Sequence, residues 1–441
     1  MRSPTAIEPI YRTTSTNSSV ELGTHRITLL YGDQRGPEGD AVFSLRLSPS
    51  PRLVCSMQIP THLPTGDVIT GADIPALSTG FPTLPPDVTV SSSGTHITLH
   101  PNPDRIEVFR TKSDKLREII FHVINFHDFH QGKSDLIVTT GTSLRRLGRI
   151  TLESAGWRVT IHALPETEDF VRSLRSEGGY AITHVGKIER ARRGFFTISQ
   201  AKTLLDILRL YLSFARGSFV SCSLAVGSDG SRTYWEQWGS PIIYPWRYYS
   251  GWFSGEPANL LEKLFPGFLA LFKDTNWKRP TREVVYWYLR ANNTSEGAGV
   301  DGGIILAQAA LEKLSWVYLV DDLQAVTAAG FKSWRAAKRI SELLSRMKIP
   351  SEIPPELWRL NRVASKHGWA NGPTALAEIR NDLVHAERKY MRGHGNPFGD
   401  TWLLAQRYIE LVILRIAKYS GRYTDRISAR WVGETTKVPW A

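Results

Sequence analysis

The chain reads as an α+β protein, with a β-rich N-terminal region followed by an all-helical C-terminal region. Three observations lead there. Short apolar or alternating runs dominate from about residue 24 to 163, strand and helix patterns mix after that, and helical periodicity takes over beyond about residue 255. The third is length: 441 residues exceed what one hydrophobic core usually organises, so two or more domains are expected. The expected division is 1–22 as a polar, flexible N-terminus, 23–255 as the β-rich region with a few helices, and 256–441 as the helical domain.

In the β-rich region, Arg26–Tyr31, Ala41–Leu47, Thr95–His100 and Trp157–His162 each alternate apolar and polar residues. Such alternation sends one set of side chains to a buried face. Proline clusters at Pro60–Pro64 and Phe81–Pro86 separate the runs, as expected for a sandwich or an open curved sheet. A helix is expected from Pro165, with Glu166, Glu168 and Asp169 complementing its dipole and Gly178–Gly179 ending it. A second is expected from Ser199 to about Arg216. Phe219–Val226 and Thr233–Trp238 pattern as a final strand pair turned at Gly227–Gly230. Beyond it the periodicity predicts helices over 257–272, 280–291, 303–320, 331–347, 373–388 and 398–419.

Composition bounds the function. Hydrophobic residues make up 41% of the chain and charged residues 22%, proportions of a folded protein. The net charge of +12 favours a polyanionic partner, nucleic acid above all. Cys55 and Cys222 form no CxxC pair, which argues against a structural zinc or a disulfide framework and for a reducing, cytoplasmic setting. The N-terminus has no apolar h-region. The apolar stretch Ile304–Val320 carries Gln308, Glu312 and Lys313, so it reads as a buried helix and no membrane contact is expected. No cofactor or metal is expected.

Other segments carry weaker signals. Phe121–His130 is dense in histidine, and His127, Asp128 and His130 would converge on a metal only if the chain turned at Asp128; a strand followed by a polar loop explains them as well. Gly297–Gly303 precedes a helix with Asp301 as a cap but lacks the Gly-Lys-Ser/Thr of a nucleotide loop. Aromatics crowd 234–288, suited to an apolar seam or to base stacking. Lys187, Arg190, Arg192 and Arg193 form a basic run, either a solvated loop or a nucleic-acid groove.

The pattern that points to chemistry is Arg380-Asn381-Asp382-Leu383-Val384-His385. On a helix at about 100° per residue, Ala375, Leu376, Ile379 and Leu383 face the core, and Glu378, Asn381 and His385 fall in one row opposite. Arg380 lies at the flank, within reach of that row. Arg388, Lys389, Arg392 and His394 follow as a basic exit suited to a phosphate backbone. Histidine suits proton transfer near neutrality, and arginine binds phosphate with a planar, permanently charged fork. A solvated helix C-terminus is the alternative explanation.

This segment resembles the R-[polar]-x3–5-H motif of the HEPN superfamily, over about residues 280–425. A β-rich region ahead of such a domain also resembles ApeA-type anti-phage defence proteins. The resemblance implies an up-and-down helical bundle and a metal-independent endoribonuclease acting as a homodimer, with two motifs brought together. It places Arg380, Asn381 and His385 in the catalytic site, with RNA, tRNA included, as the partner held by Arg388, Lys389 and Arg392. Some members of that superfamily are inactive, so a non-catalytic RNA- or protein-binding module is the alternative implied. A β-sandwich with a helical dimerisation tail would need no chemistry at His385.

Overall fold

A computed structural model describes residues 5–31, 34–58, 71–73, 89–93, 96–100, 105–109, 113–130, 135–140, 143–239, 242–295, 299–385 and 396–441. The chain forms two compact units. The first is 1–128, 132–209 and 220–248; the second is 129–131, 210–219 and 249–441.

The first unit is built on two antiparallel sheets. Strands β1 (Val20–Tyr31), β2 (Gln34–Arg46), β3 (Arg52–Gln58), β4 (Gly71–Asp73), β5 (Thr89–Ser93) and β6 (His96–His100) pair in the order β4-β1-β2-β3-β6-β5. Next come β7 (Arg105–Phe109), β8 (Lys115–Leu116), β9 (Glu118–Ile124), β10 (Leu136–Thr140), β11 (Ser143–Leu147), β12 (Arg149–Ser154) and β13 (Trp157–Ala163). Helix α1 (Thr167–Glu177), β14 (Ile182–Arg190), β15 (Phe196–Thr197), α2 (Ile198–Arg216, whose residues from 210 on count with the second unit), β16 (Ser221–Ser228) and β17 (Thr233–Gly239) follow. The second sheet runs β12-β13-β14-β9-β16-β17-β7, while β10-β11 and β15-β8 form separate pairs.

The alternation seen in the sequence is what joins the two sheets. Ile27, Leu29, Phe43, Leu45 and Cys55 from the first share one core with Ile124, Ile182, Val185, Leu224 and Trp238 from the second. This is the packed pair of sheets expected of a sandwich. Gly186 lies under the Phe121 ring across the β14–β9 pair, where an added Cβ would come within 2.2 Å of that ring. The β16–β17 turn is closed by Asp229, whose carboxylate accepts from the Tyr234 hydroxyl and from the Arg232 and Ser231 N–H groups, which hold it well below the usual carboxylate range.

The N-terminal segment corrects an expectation. Ile7, Tyr11 and Thr13 are buried, and the backbone N–H groups of Ile7, Ile10 and Tyr11 find partners on the second sheet. Ile7 N–H donates to His162 Nε2 at 2.8 Å, and Ile10 and Tyr11 N–H groups donate to His122 Nε2 at 3.2 and 3.0 Å. The Tyr11 hydroxyl donates to Glu236 at 2.7 Å, and Asn17 exchanges hydrogen bonds with Tyr180. Polar composition misleads here because Ser and Thr stand between a few apolar anchors.

The second unit holds α3 (Asn259–Leu271), α4 (Lys278–Asn292), α5 (Gly299–Trp316, continued by a π-helical stretch Val317–Asp322), α6 (Ala328–Ser333), α7 (Ala336–Met347), α8 (Trp358–His367), α9 (Gly372–Val384) and α10 (Phe398–Ile416). Short strands β18 (Arg422–Tyr423) and β19 (Thr436–Lys437) close the chain. Helix α5 packs on α4, α7, α9 and α10. Among the described residues one helix, Gly299–Asp322, is long and apolar enough to cross a membrane by length and composition, and 56% of its most apolar window is buried within the protein. Its polar residues have local partners: Gln308 bonds Glu312, Glu312 bonds Arg339, and Lys313 bonds Glu283.

Candidate functional site

Helix α9 positions the Arg-Asn-x3-His segment. Asn371 caps it, its side chain accepting from Thr374 N–H at 2.9 Å, and Pro373 supplies the fixed φ of a first turn. Gly372 lets this first turn approach α10: a Cβ there would lie 2.2 Å from the Tyr408 hydroxyl and 2.9 Å from Leu404 Cδ2. Ala375, Leu376 and Ile379 are fully buried, and Leu383 partly. The core face is therefore the one the periodicity predicts.

At the other end the geometry departs from an ideal wheel. The helix stops at Val384, and His385 is its C-cap in extended conformation, φ −116° and ψ 107°. Its N–H still donates to the Asn381 carbonyl at 3.0 Å, closing the last turn, but its ring is exposed. The row of Glu378, Asn381 and His385 expected on one helical face thus ends before His385. Arg380 and Asn381 are half-buried, and Arg380 Nη1 donates to Asn381 Oδ1 at 3.4 Å. The arginine therefore reaches its neighbour and not the histidine. Arg388, Lys389, Arg392 and His394 lie outside the described residues.

The histidines of the first unit have a different use. His122 Nε2 accepts two backbone N–H groups, so the ring proton sits on Nδ1 and is donated to the Leu224 carbonyl at 3.0 Å. Burial lowers its pKa to about 4. His162 repeats the pattern, accepting from Ile7 N–H and donating to the Ala163 carbonyl, and burial lowers its pKa also. Among the described residues no group of three or more His, Cys, Asp or Glu side chains could hold a metal ion. Cys55 and Cys222 are buried, and burial pushes both thiols up to about 12, so neither offers a thiolate near neutrality.

Sequence reasoning missed one charged cluster. Arg426 donates to Glu410, to Asn292 Oδ1 at 3.1 Å and to the Ser250 carbonyl at 3.1 Å, and the Tyr288 hydroxyl donates to Glu410 at 2.5 Å. Arg407 and Asp425 pair beside it at 2.8 Å. The Arg426 and Glu410 side chains have no solvent exposure, so the cluster is closed to substrate and ties the C-terminal segment to α4 and α10. No spacing rule could have found it, since Tyr288 and Asn292 lie more than a hundred residues from Glu410 and Arg426.

The chain is similar to two protein-family domains. Residues 111–249 match the YopA central domain and residues 274–437 the YopA C-terminal domain. It is also 29% identical over 299 residues to the SPbeta prophage-derived uncharacterized protein YopA of Bacillus subtilis (strain 168). That alignment spans 66% of this chain and 66% of the relative, just under two thirds of its length. The first match ends at 249, where the first structural unit ends at 248, and the second lies wholly in the helical unit. No solved structure matches the chain.

Proposed function

We propose that the helical unit is a metal-independent endoribonuclease of the HEPN kind that works as a homodimer, with the β-rich region sensing or restraining it. The observation that carries the reading is the end of α9, where His385 turns out of the helix with an exposed ring, five residues after a half-buried Arg380. Cleavage without a metal uses the ribose 2′-OH against the adjacent phosphate. The P–O5′ bond breaks as the new P–O2′ bond forms, leaving a 2′,3′-cyclic phosphate and a 5′-hydroxyl. One His385 takes the 2′-OH proton, the second His385 of a dimer gives a proton to the leaving oxygen, and Arg380 neutralises the phosphorane. Asn381 positions the arginine. The net charge of +12 suits an RNA substrate, and the prophage-derived relative fits a role in phage–host conflict.

A second reading is a non-catalytic RNA- or protein-binding module. The Arg380–Asn381 contact favours it, since the arginine is turned toward its neighbour and not toward His385. Incubating the protein with total RNA and with tRNA in EDTA separates the two. Cyclic-phosphate ends, lost in His385→Ala and Arg380→Ala, are expected for the ribonuclease. Binding without cleavage, unchanged in His385→Ala, would establish the module instead.

A further inference from the structure

The basic run at the end of β14 belongs to a surface that the ribonuclease reading does not use. The chain turns through Ala191–Gly194 and returns as β15, which pairs with β8 in the register Phe196↔Leu116 and Thr197↔Lys115. This pairing brings residues 115–117 and 190–197 together. Alternation then splits two adjacent aromatics. Phe196 is buried at 2% exposure and packs edge-on against Trp157 at 5.0 Å, while Phe195 stands 53% exposed. The Arg117 guanidinium lies over the Phe195 ring at 4.7 Å, and Arg190 lies over Trp157 at 3.7 Å. Lys115, Arg117, Arg192 and Arg193 are all exposed.

Among the described residues the positive charge there is only partly offset. Among the described residues none of those four cations has a carboxylate within ion-pair distance. The nearby carboxylates are engaged elsewhere, Glu153 and Glu189 with Arg158, and Glu118 and Glu189 with Lys187. Asp114, just before Lys115, offsets part of the total. An exposed aromatic ring set among unpaired cations fits a ligand that carries both repeated negative charge and flat apolar faces. Single-stranded nucleic acid has that chemistry: phosphates for the arginines and an unstacked base for Phe195. A duplex offers phosphates but no free base face, and an acidic protein offers charge without regular flat rings.

We propose that this patch of the β-rich unit binds single-stranded nucleic acid, independently of the α9 segment. The test is fluorescence anisotropy of a labelled oligodeoxythymidylate of about twelve nucleotides, which lacks the 2′-OH needed for cleavage and is within the length range of such grooves, titrated with the full chain at two salt concentrations. Wild type is expected to bind with strong salt dependence. Arg192→Ala/Arg193→Ala should weaken binding about tenfold or more and flatten the salt dependence. Phe195→Ala should weaken it about fivefold or more while leaving the salt dependence in place. Unchanged circular dichroism and melting would show that these exposed substitutions leave the fold intact. The proposal is overturned if wild type does not bind, or if the patch variants bind as tightly as wild type. It is equally overturned if duplex or polyglutamate competes as well as the single strand, which would assign the patch to generic charge or to an acidic protein.

Discussion

Glu410 and Arg426 are paired at 2.5 Å with both side chains wholly shielded from solvent. Burial alone would lower the Arg426 pKa, but the Glu410 carboxylate and the Tyr288 hydroxyl hold it above its usual value. Such a pair is held by what each partner does for the other's desolvation. Removing one member leaves an uncompensated buried charge, at a cost of roughly 3–5 kcal/mol. Arg426→Met or Glu410→Leu alone is therefore expected to unfold the helical unit at markedly lower urea, and the double variant to recover much of the loss. Single variants that melt with wild type would show that water reaches the pair.

The N-terminal segment is held by two neutral histidines, which makes it sensitive to acid. His122 accepts the Ile10 and Tyr11 N–H groups only while Nε2 is unprotonated, and the same holds for His162 and Ile7. Around His162, burial is the main cause of the lowered pKa, Arg149 lowers it further and Glu8 opposes; Tyr11 and Glu236 stand near His122. The folded pKa of His122, about 4, lies below the ordinary 6.5, so the unfolded state binds more protons between these values. Stability is then complete above about pH 6.5 and is lost as pH falls toward 4, by on the order of 3 kcal/mol in all. Limited trypsin digestion should begin to cut at Arg12 as pH is lowered from 7 to 5. A cleavage rate flat across that range would mean the segment is held by other contacts.

Much of the architecture is legible in the residues because both periodicities are clean. The alternating runs of the β-rich region became strands, and the glycine pair after Glu177 stopped α1, Gly178 taking a φ of 73°. The helix α8 (Trp358–His367) was not expected, because Pro350, Pro354 and Pro355 read as a break and its ten residues are too few for a strong apolar stripe. The single helix predicted over 331–347 is divided at Trp334, whose extended backbone ends α6.

The candidate site was legible as residue types and only partly as geometry. Apolar spacing placed the buried face of α9 correctly, since Ala375, Leu376 and Ile379 pack inward. A wheel assumes the helix continues, and it could not show that the helix ends one residue before His385. The missed N-cap has the same origin: Asn371 and Gly372 precede the periodic run, and their roles depend on Thr374 and on Tyr408 of a distant helix.

Those two residues give a local test of how α9 is held. Asn371→Ala removes a capping bond and should cost about 1 kcal/mol. Gly372→Ala forces a methyl against the Tyr408 hydroxyl and Leu404, and should cost more, roughly 1–3 kcal/mol. Urea midpoints of the two variants check the order. Gly372→Ala as stable as wild type would mean that the first turn of α9 shifts away from α10 freely.

The chemistry at the end of α9 depends on what arginine can do that lysine cannot. Arg380 already spends one N–H on Asn381 and keeps further donors of its fork for a phosphate. If it stabilises the phosphorane, Arg380→Ala should lower single-turnover cleavage about a hundredfold or more, and Arg380→Lys should recover only part, because charge returns without the fork. One chain carries one His385 for two proton transfers, so activity per molecule should fall on dilution as dimers dissociate. Cleavage measured across a dilution series, beside sedimentation of the same samples, decides the point. Constant specific activity in samples that sediment as monomers would mean that a single α9 end suffices, and the second proton would then have to come from another group.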